Sequence, residues 1–265
     1  TGRKSALFER NEDEIILKGA FAALKTSDEL SDTLPLLSYL GIAYSKNEVV
    51  KDVIDWFDEG ISFLNYGNPI QELQMAISKS EDIKKLMLQM FQEMDLDIVN
   101  FRVEEKENDR IEVFTKHIVD KYEAELNLSD ESSGTKKLFG LLPFIAKSLL
   151  RGTTLVIDEL DAKLHPKLLR YVISLFKNKE INKYGAQLLF TSHDMYTLKN
   201  TIFRRDEIWF AAENASHESE IYSLHEIRGE DNDRVKNTAA YDKQYLEGRY
   251  GADPYLSNML RGDFA

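Results

Sequence analysis

The sequence has 265 residues, 43% of them hydrophobic and 30% charged, enough for one or two globular cores. No apolar run approaches the roughly 18–20 residues that span a bilayer, so a soluble protein with no membrane partner is expected. The absence of cysteine excludes disulfides and thiolate metal sites and fits a reducing cytoplasm, while a net charge of −12 excludes a broadly basic DNA-coating surface and leaves a local basic patch open.

The chain opens on Thr1-Gly2-Arg3-Lys4-Ser5, which has the character of neither a signal nor a transit peptide, and residues upstream of Thr1 are expected. Ala6–Arg10 and Glu14–Lys18, with the polar Asn11-Glu12-Asp13 between them, read as a hairpin. Residues 31–97 read as helical. Val49, Val50, Val53, Ile54 and Phe57 recur at helical spacing. Ser80 stands before a second helix with Glu81 and Asp82 in its first turn and a stripe of Ile83, Leu86, Met87, Met90, Phe91 and Met94 that reads as core. The period changes near Ile98. Ile98–Val103 and Arg110–Phe114 alternate like strands, joined by the acidic segment Glu104–Asp109, which reads as a solvated turn.

Leu138–Leu150 has helical periodicity and stops at Arg151-Gly152, a C-cap pattern. Thr153–Ile157 is a β-branched run suited to a buried parallel strand, His165–Phe176 is helical with Pro166 in its first turn, and Gln187–Thr191 reads as a second buried strand. Strand, helix, strand in this order predicts a βαβ unit and a parallel sheet, hence an α/β fold.

The chemistry gathers where those strands end. Asp158-Glu159 puts two adjacent carboxylates after a buried strand: one can hold Mg²⁺ through its water shell and the other can orient an attacking water. The second strand ends in Thr191-Ser192-His193, and parallel strands release their polar residues at one carboxyl edge, where ligands bind. Upstream, Glu131-Ser132-Ser133-Gly134-Thr135-Lys136-Lys137 precedes a helix, and small hydroxyl residues with a Gly expose N–H groups that favour an anion there. Each element alone has a bland reading as a turn, a loop or a structural His. Their order and spacing carry the functional one.

Those segments resemble an ABC-type ATPase head. Ser132-Ser133-Gly134-Thr135 is similar to the ABC signature, with Ser133 in place of one of its two Gly residues and Thr135 in place of its Gln. Leu155–Glu159 resembles Walker B with its catalytic Glu, Ala162–His165 stands where the D-loop is found, and His193 matches the switch His. The strings Glu-Ser-Ser-Gly-Thr-Lys-Lys, Asp-Glu-Leu-Asp-Ala-Lys-Leu-His-Pro and Thr-Ser-His-Asp, with the tail Tyr245–Ala252, resemble the AAA-type ATP-binding proteins of the abortive-infection and OLD-like group, relatives of SMC and RecF heads. The resemblance is strong over 130–195 and weaker elsewhere.

It implies a P-loop NTPase fold with a parallel-sheet core and a helical lobe. The expected division is a hairpin segment over 1–30, a helical lobe over 31–97, a nucleotide-binding core over 98–210 and a C-terminal segment over 211–265 packed on the head. It also implies an ATPase using ATP and Mg²⁺, with Asp158 supporting the metal, Glu159 polarising water and His193 contacting the γ-phosphate. Ser132, Ser133, Gly134 and Thr135 are then expected to bind the nucleotide of an opposing copy in a homodimer. Asp161 to His165 are expected to carry information across that dimer.

One part is missing from the sequence. A phosphate loop needs Gly-x-x-x-x-Gly-Lys-[Ser/Thr], and none of the 13 glycines is followed by Lys. That loop is expected upstream of Thr1, in a segment absent through truncation or disorder or carried by a separate chain, and the chain alone is expected to be inactive. The leading role implied is the ATPase of an anti-phage system controlling an effector such as a nuclease or toxin. DNA maintenance of the RecF or SMC kind, with nucleic acid as partner, and a non-hydrolysing scaffold are the alternatives.

Overall fold

The computed structural model describes residues 6–11, 14–23, 35–64, 80–106, 110–119, 121–214, 216–228 and 233–252. At the N-terminus, β1 (Phe8–Asn11) and β2 (Glu14–Leu17) form the expected antiparallel hairpin, with Phe8 opposite Leu17. Helices α1 (Leu36–Ala43) and α2 (Glu48–Gly60) follow. Asn47 caps α2 by accepting the Val50 N–H at 3.2 Å, which satisfies one of the donors that a helix start leaves open. Leu36, Leu40, Val50 and Phe21 close a small core against the hairpin.

The first departure from the periodicity comes next. Ile61–Phe63 is a strand, β3, inside the segment that reads as helical. Its pairing partner is distant in sequence: Ile61 lies beside Thr154 and Phe63 beside Val156, in parallel. Three residues carry too little pattern to announce a strand, and the tertiary pairing decides the conformation.

Helix α3 (Glu81–Glu93) buries Ile83, Met87, Met90 and Phe91, most of the apolar stripe expected of it. Ser80 is its N-cap residue but makes no side-chain capping bond, so the acidic first turn of Glu81 and Asp82 is what complements the helix dipole. Strands β4 (Ile98–Lys106), β5 (Arg110–Val119) and β6 (Tyr122–Asn127) form an antiparallel sheet in that order. Glu104 and Glu105, expected in a turn, continue β4 instead. Arg102 anchors that end of the sheet through paired 3.0 Å bonds to Glu125 of β6. Residues 107–109 of the acidic segment lie outside the described residues.

The longest helix, α4 (Ser133–Arg151), runs through the main core. Leu138, Leu141, Leu142, Ile145, Ala146 and Leu149 are buried in it. Phe139 meets Phe91 of α3 at 4.8 Å and Phe101 of β4 at 5.3 Å between ring centres, tying the helix to the antiparallel sheet. Its other side feeds β7 (Thr154–Ile157), the middle strand of a parallel sheet with β3 and β8 (Gln187–Phe190). Helix α5 (Pro166–Lys177) crosses from β7 to β8, which is the expected βαβ unit.

β8 is not the buried strand that its apolar run suggests. It has β7 on one side only among the described residues, and Leu189 is 62% exposed. Its register partners Val156 and Phe63 share that face, and Phe63 is 70% exposed. The opposite face, with Leu155 and Leu188, packs on the core.

Downstream, β9 (Trp209–Glu213) and β10 (Ser219–Ser223) pair antiparallel, and the short helix α6 (Tyr241–Leu246) lies against them. Tyr241 and Tyr250 are buried with Phe210 and Leu224, which accounts for much of the tyrosine in the tail. Residues 253–265 lie outside the described residues. Among the described residues no helix is long and apolar enough to cross a membrane.

Gly152 sets the passage from α4 into β7. Its φ is +72°, it ends the helix through its N–H to Ser148 O at 2.8 Å, and an added Cβ would stand 2.3 Å from the Tyr184 carbonyl oxygen. Gly152→Ala is expected to cost roughly 1–3 kcal/mol from the left-handed backbone alone. Denaturant unfolding checks this: the midpoint should fall, and an unchanged midpoint would contradict the assignment.

Candidate functional site

The parallel register of β7 and β8 places Asp158 and Thr191 side by side one step beyond the paired ends Ile157 and Phe190. Thr191 N–H donates to Ile157 O at 3.1 Å, and Leu160 N–H donates back to Thr191 O at 3.1 Å, so the ladder continues past both strands. The Thr191 hydroxyl closes the arrangement. It donates to Asp158 Oδ1 and accepts the Glu159 N–H at 2.8 Å. One hydroxyl thereby fixes the carboxylate of Asp158 and the backbone of Glu159 together.

Glu159 has φ +48° and Lys163 φ +62°, both in the left-handed region. Such a conformation at a non-glycine residue costs about 1–3 kcal/mol and persists where the surroundings hold it. The holding groups are visible. Thr191 takes the Glu159 N–H, while Lys137 Nζ of α4 donates to the Glu159 carbonyl at 3.0 Å and the Leu160 carbonyl at 3.1 Å. Asp161 Oδ1 accepts the His193 N–H at 3.3 Å, joining the turn to the segment that leaves β8. Asp158, Glu159 and His193 therefore stand at one carboxyl edge, exposed to solvent. His193 is followed by a tight turn in which Asp194 Oδ2 accepts both the N–H and the hydroxyl of Thr197 at 2.7 Å.

Burial holds the Lys137 ammonium below the usual lysine range. The charges of Asp161 and Glu159 act against that shift, and Lys163 acts with it.

The Ser132–Thr135 segment forms the N-terminus of α4. Ser132 is the N-cap: its hydroxyl oxygen accepts the Thr135 N–H at 3.1 Å and lies 2.8 Å from the Thr135 hydroxyl. Ser133 and Gly134 occupy the first turn, where N–H groups have no partner within the helix and the dipole favours an anion. An added Cβ at Gly134 would lie 3.5 Å from the Lys163 carbonyl oxygen. The segment thus sits against the turn after β7.

Glu131, the residue before the cap, is nearly buried. Its carboxylate accepts the Thr115 hydroxyl at 2.5 Å and meets His117 Nε2 at 2.7 Å, which pins the approach to α4 onto β5. His165 is placed as the N-cap of α5, its Nδ1 accepting the Lys167 N–H at 3.2 Å. Asp161 is thus drawn into the turn that carries Asp158 and Glu159, and His165 is engaged at the start of α5.

The sequence alone gives no role to Thr191, Lys137 or the Thr115–His117–Glu131 group, whose side chains hold the backbone around the candidate site. Thr191 had a signal, since it extends β8 and faces the acidic end of β7. Lys137 had none, because it acts on backbone carbonyls brought near by the fold.

No curated protein matches this chain. One similar solved structure is described as "Structural biochemistry of ATP-driven dimerization and DNA stimulated activation of SMC ATPases", with 13% identity, a TM-score of 0.43, and coverage of 69% of this chain and 99% of that one. Another is described as "Crystal structure of the SmcHead bound to the C-winged helix domain of ScpA", again 13% identical with a TM-score of 0.43, over 61% of this chain and 54% of that one. A family model matches residues 61–199, which include β3, β7, β8, α4 and every candidate site residue named above. The match spans more than half of the sequence, and the chain belongs to that family, described as "AAA domain, putative AbiEii toxin, Type IV TA system".

Proposed function

We propose that this chain is the hydrolytic part of an ATPase head that closes with a second copy around MgATP. In this reading its turnover controls an effector in a toxin–antitoxin or abortive-infection type of defence. The observation that carries the reading is the junction at the carboxyl edge of β7 and β8, where Thr191 joins Asp158 to Glu159 and Asp161 joins the turn to His193. Membership of an AAA-domain family supports the nucleotide, and the family's description supports the defence setting.

The donor chemistry suits Mg²⁺. This ion keeps several waters and takes one or two carboxylates plus substrate phosphates, so it needs no cage of protein ligands. Asp158 is an exposed carboxylate whose orientation Thr191 fixes, and it is the residue to hold the ion. When bound, Mg²⁺ supplies charge neutralisation on the phosphate oxygens. Glu159 orients the attacking water and accepts its proton, His193 contacts the γ-phosphate, and Ser132, Ser133, Gly134 and Thr135 meet the nucleotide of the opposing head. Asp161 and His165 bracket the turn that faces the dimer. Catalysis of this kind rests on positioning and electrostatics, which is why the Glu159 backbone is held from two sides.

Of the segment 31–97 only α1 and α2 then stand as a helical lobe, because β3 joins the parallel sheet and α3 packs in the main core, and β9, β10 and α6 form the part packed on the head.

Two variants of the full-length protein test the assignment. Glu159→Gln should keep ATP binding, lower turnover by on the order of 10²–10⁴-fold and accumulate as an ATP-bound dimer on sizing columns. Wild-type turnover in that variant would overturn the catalytic role. Thr191→Val deletes the hydroxyl but keeps the shape, so turnover should fall by about tenfold or more with a raised Mg²⁺ requirement. An unchanged Mg²⁺ titration would remove Thr191 from the site.

A further inference from the structure

Two lysines follow the Ser-Ser-Gly-Thr segment, and they serve different ends. Lys136 turns back, and its Nζ donates to the Ser129 carbonyl oxygen. Lys137 crosses to the turn after β7 and donates to the carbonyl oxygens of Glu159 and Leu160 at 3.0 and 3.1 Å. An ammonium has three donors on one compact charge, which suits it to gathering adjacent carbonyls. The carbonyls belong to the residue with left-handed backbone and to its neighbour, so the contact holds the conformation that sets the direction of the Glu159 side chain. A second contact joins the same elements: Gly134 lies against the Lys163 carbonyl, at the other end of the turn. The first two turns of α4 therefore touch both ends of residues 159–163.

We propose that Lys137 is a positioning residue that couples the N-terminus of α4 to the hydrolytic turn, so that a phosphate engaged at Ser132–Gly134 from the opposing head moves Glu159 into its working geometry. This rests on the roles given above to Glu159 and to the Ser132–Thr135 segment. Under it, the head has a direct link between the surface that senses its partner's nucleotide and the carboxylate that acts on its own. The link needs no contact between Lys137 and any phosphate.

The test uses steady-state ATPase kinetics, thermal melting and sizing with ATP on the full-length protein. It compares Lys137→Met, Lys137→Gln and Lys136→Met, with Glu159→Gln in parallel. Lys137→Met should lower kcat by on the order of 10²-fold, with KM for MgATP, melting temperature and ATP-dependent dimerisation close to wild type. Lys137→Gln keeps one donor and should fall between the two. Lys136→Met should turn over near the wild-type rate. If Lys137→Met turns over normally while Glu159→Gln is inactive, the coupling role is wrong and the site reading stands. If Glu159→Gln itself turns over, the site reading fails and the coupling role falls with it. Equal losses in Lys136→Met and Lys137→Met, or kcat losses that merely follow lowered melting temperatures in both Lys137 variants, would also overturn it.

Discussion

Two parallel strands ending in step, with a threonine at the end of one and an acidic pair at the end of the other, impose most of what is distinctive here. Because Ile157 and Phe190 are register partners, the next residues on each strand face each other at the carboxyl edge. The Thr191 main chain then bonds to Ile157 and Leu160, and its side chain bonds to Asp158 and Glu159. Four contacts from one residue leave the turn little freedom. A shift of the β7–β8 register by one residue would send Thr191 to the opposite face and break both side-chain bonds at once.

The second determinant is the packing of α4. Its buried stripe anchors it between the antiparallel sheet and the parallel one, through Phe139 on one side and the Gly152 passage into β7 on the other. With both ends fixed, its N-terminus is delivered to the turn after β7, where Lys137 and Gly134 make contact. The Glu131–His117–Thr115 group holds the incoming chain from the side of β5. The left-handed backbone at Glu159 and Lys163 is the cost of this crowding, and the hydrogen bonds around it offset that cost.

Legibility in the sequence followed the strength of the local pattern. β7, α5 and the body of α4 were readable because each carries an apolar run of the right period, with Pro166 and Gly152 as punctuation. β3 was not, since three residues paired to a distant strand leave no periodic trace. β6 was missed for a different reason: Tyr-Glu-Ala-Glu-Leu-Asn is almost wholly exposed, so pairing with β5 rather than burial makes it a strand. The exposure of Leu189 on β8 shows the limit of reading burial from an apolar run, which records what a face is suited to cover and not whether it is covered. Within the site, Asp158, Glu159 and His193 were legible as polar residues at strand ends. Lys137 was not, because its partners are carbonyl oxygens of the main chain that no residue type reveals.

The central claim is that each working site draws Glu159 from one head and the Ser132–Thr135 segment from another. Mixing two inactive full-length variants tests it most directly. Ser132→Arg blocks the segment and leaves Glu159 intact, while Glu159→Gln does the reverse. In the mixed dimer one of the two sites is whole, so equal amounts mixed before ATP is added should restore up to about one quarter of the wild-type ATPase rate, less whatever Glu159→Gln heads are held in their own ATP-bound dimers. Activity no higher than that of either variant alone would contradict a site shared between two heads.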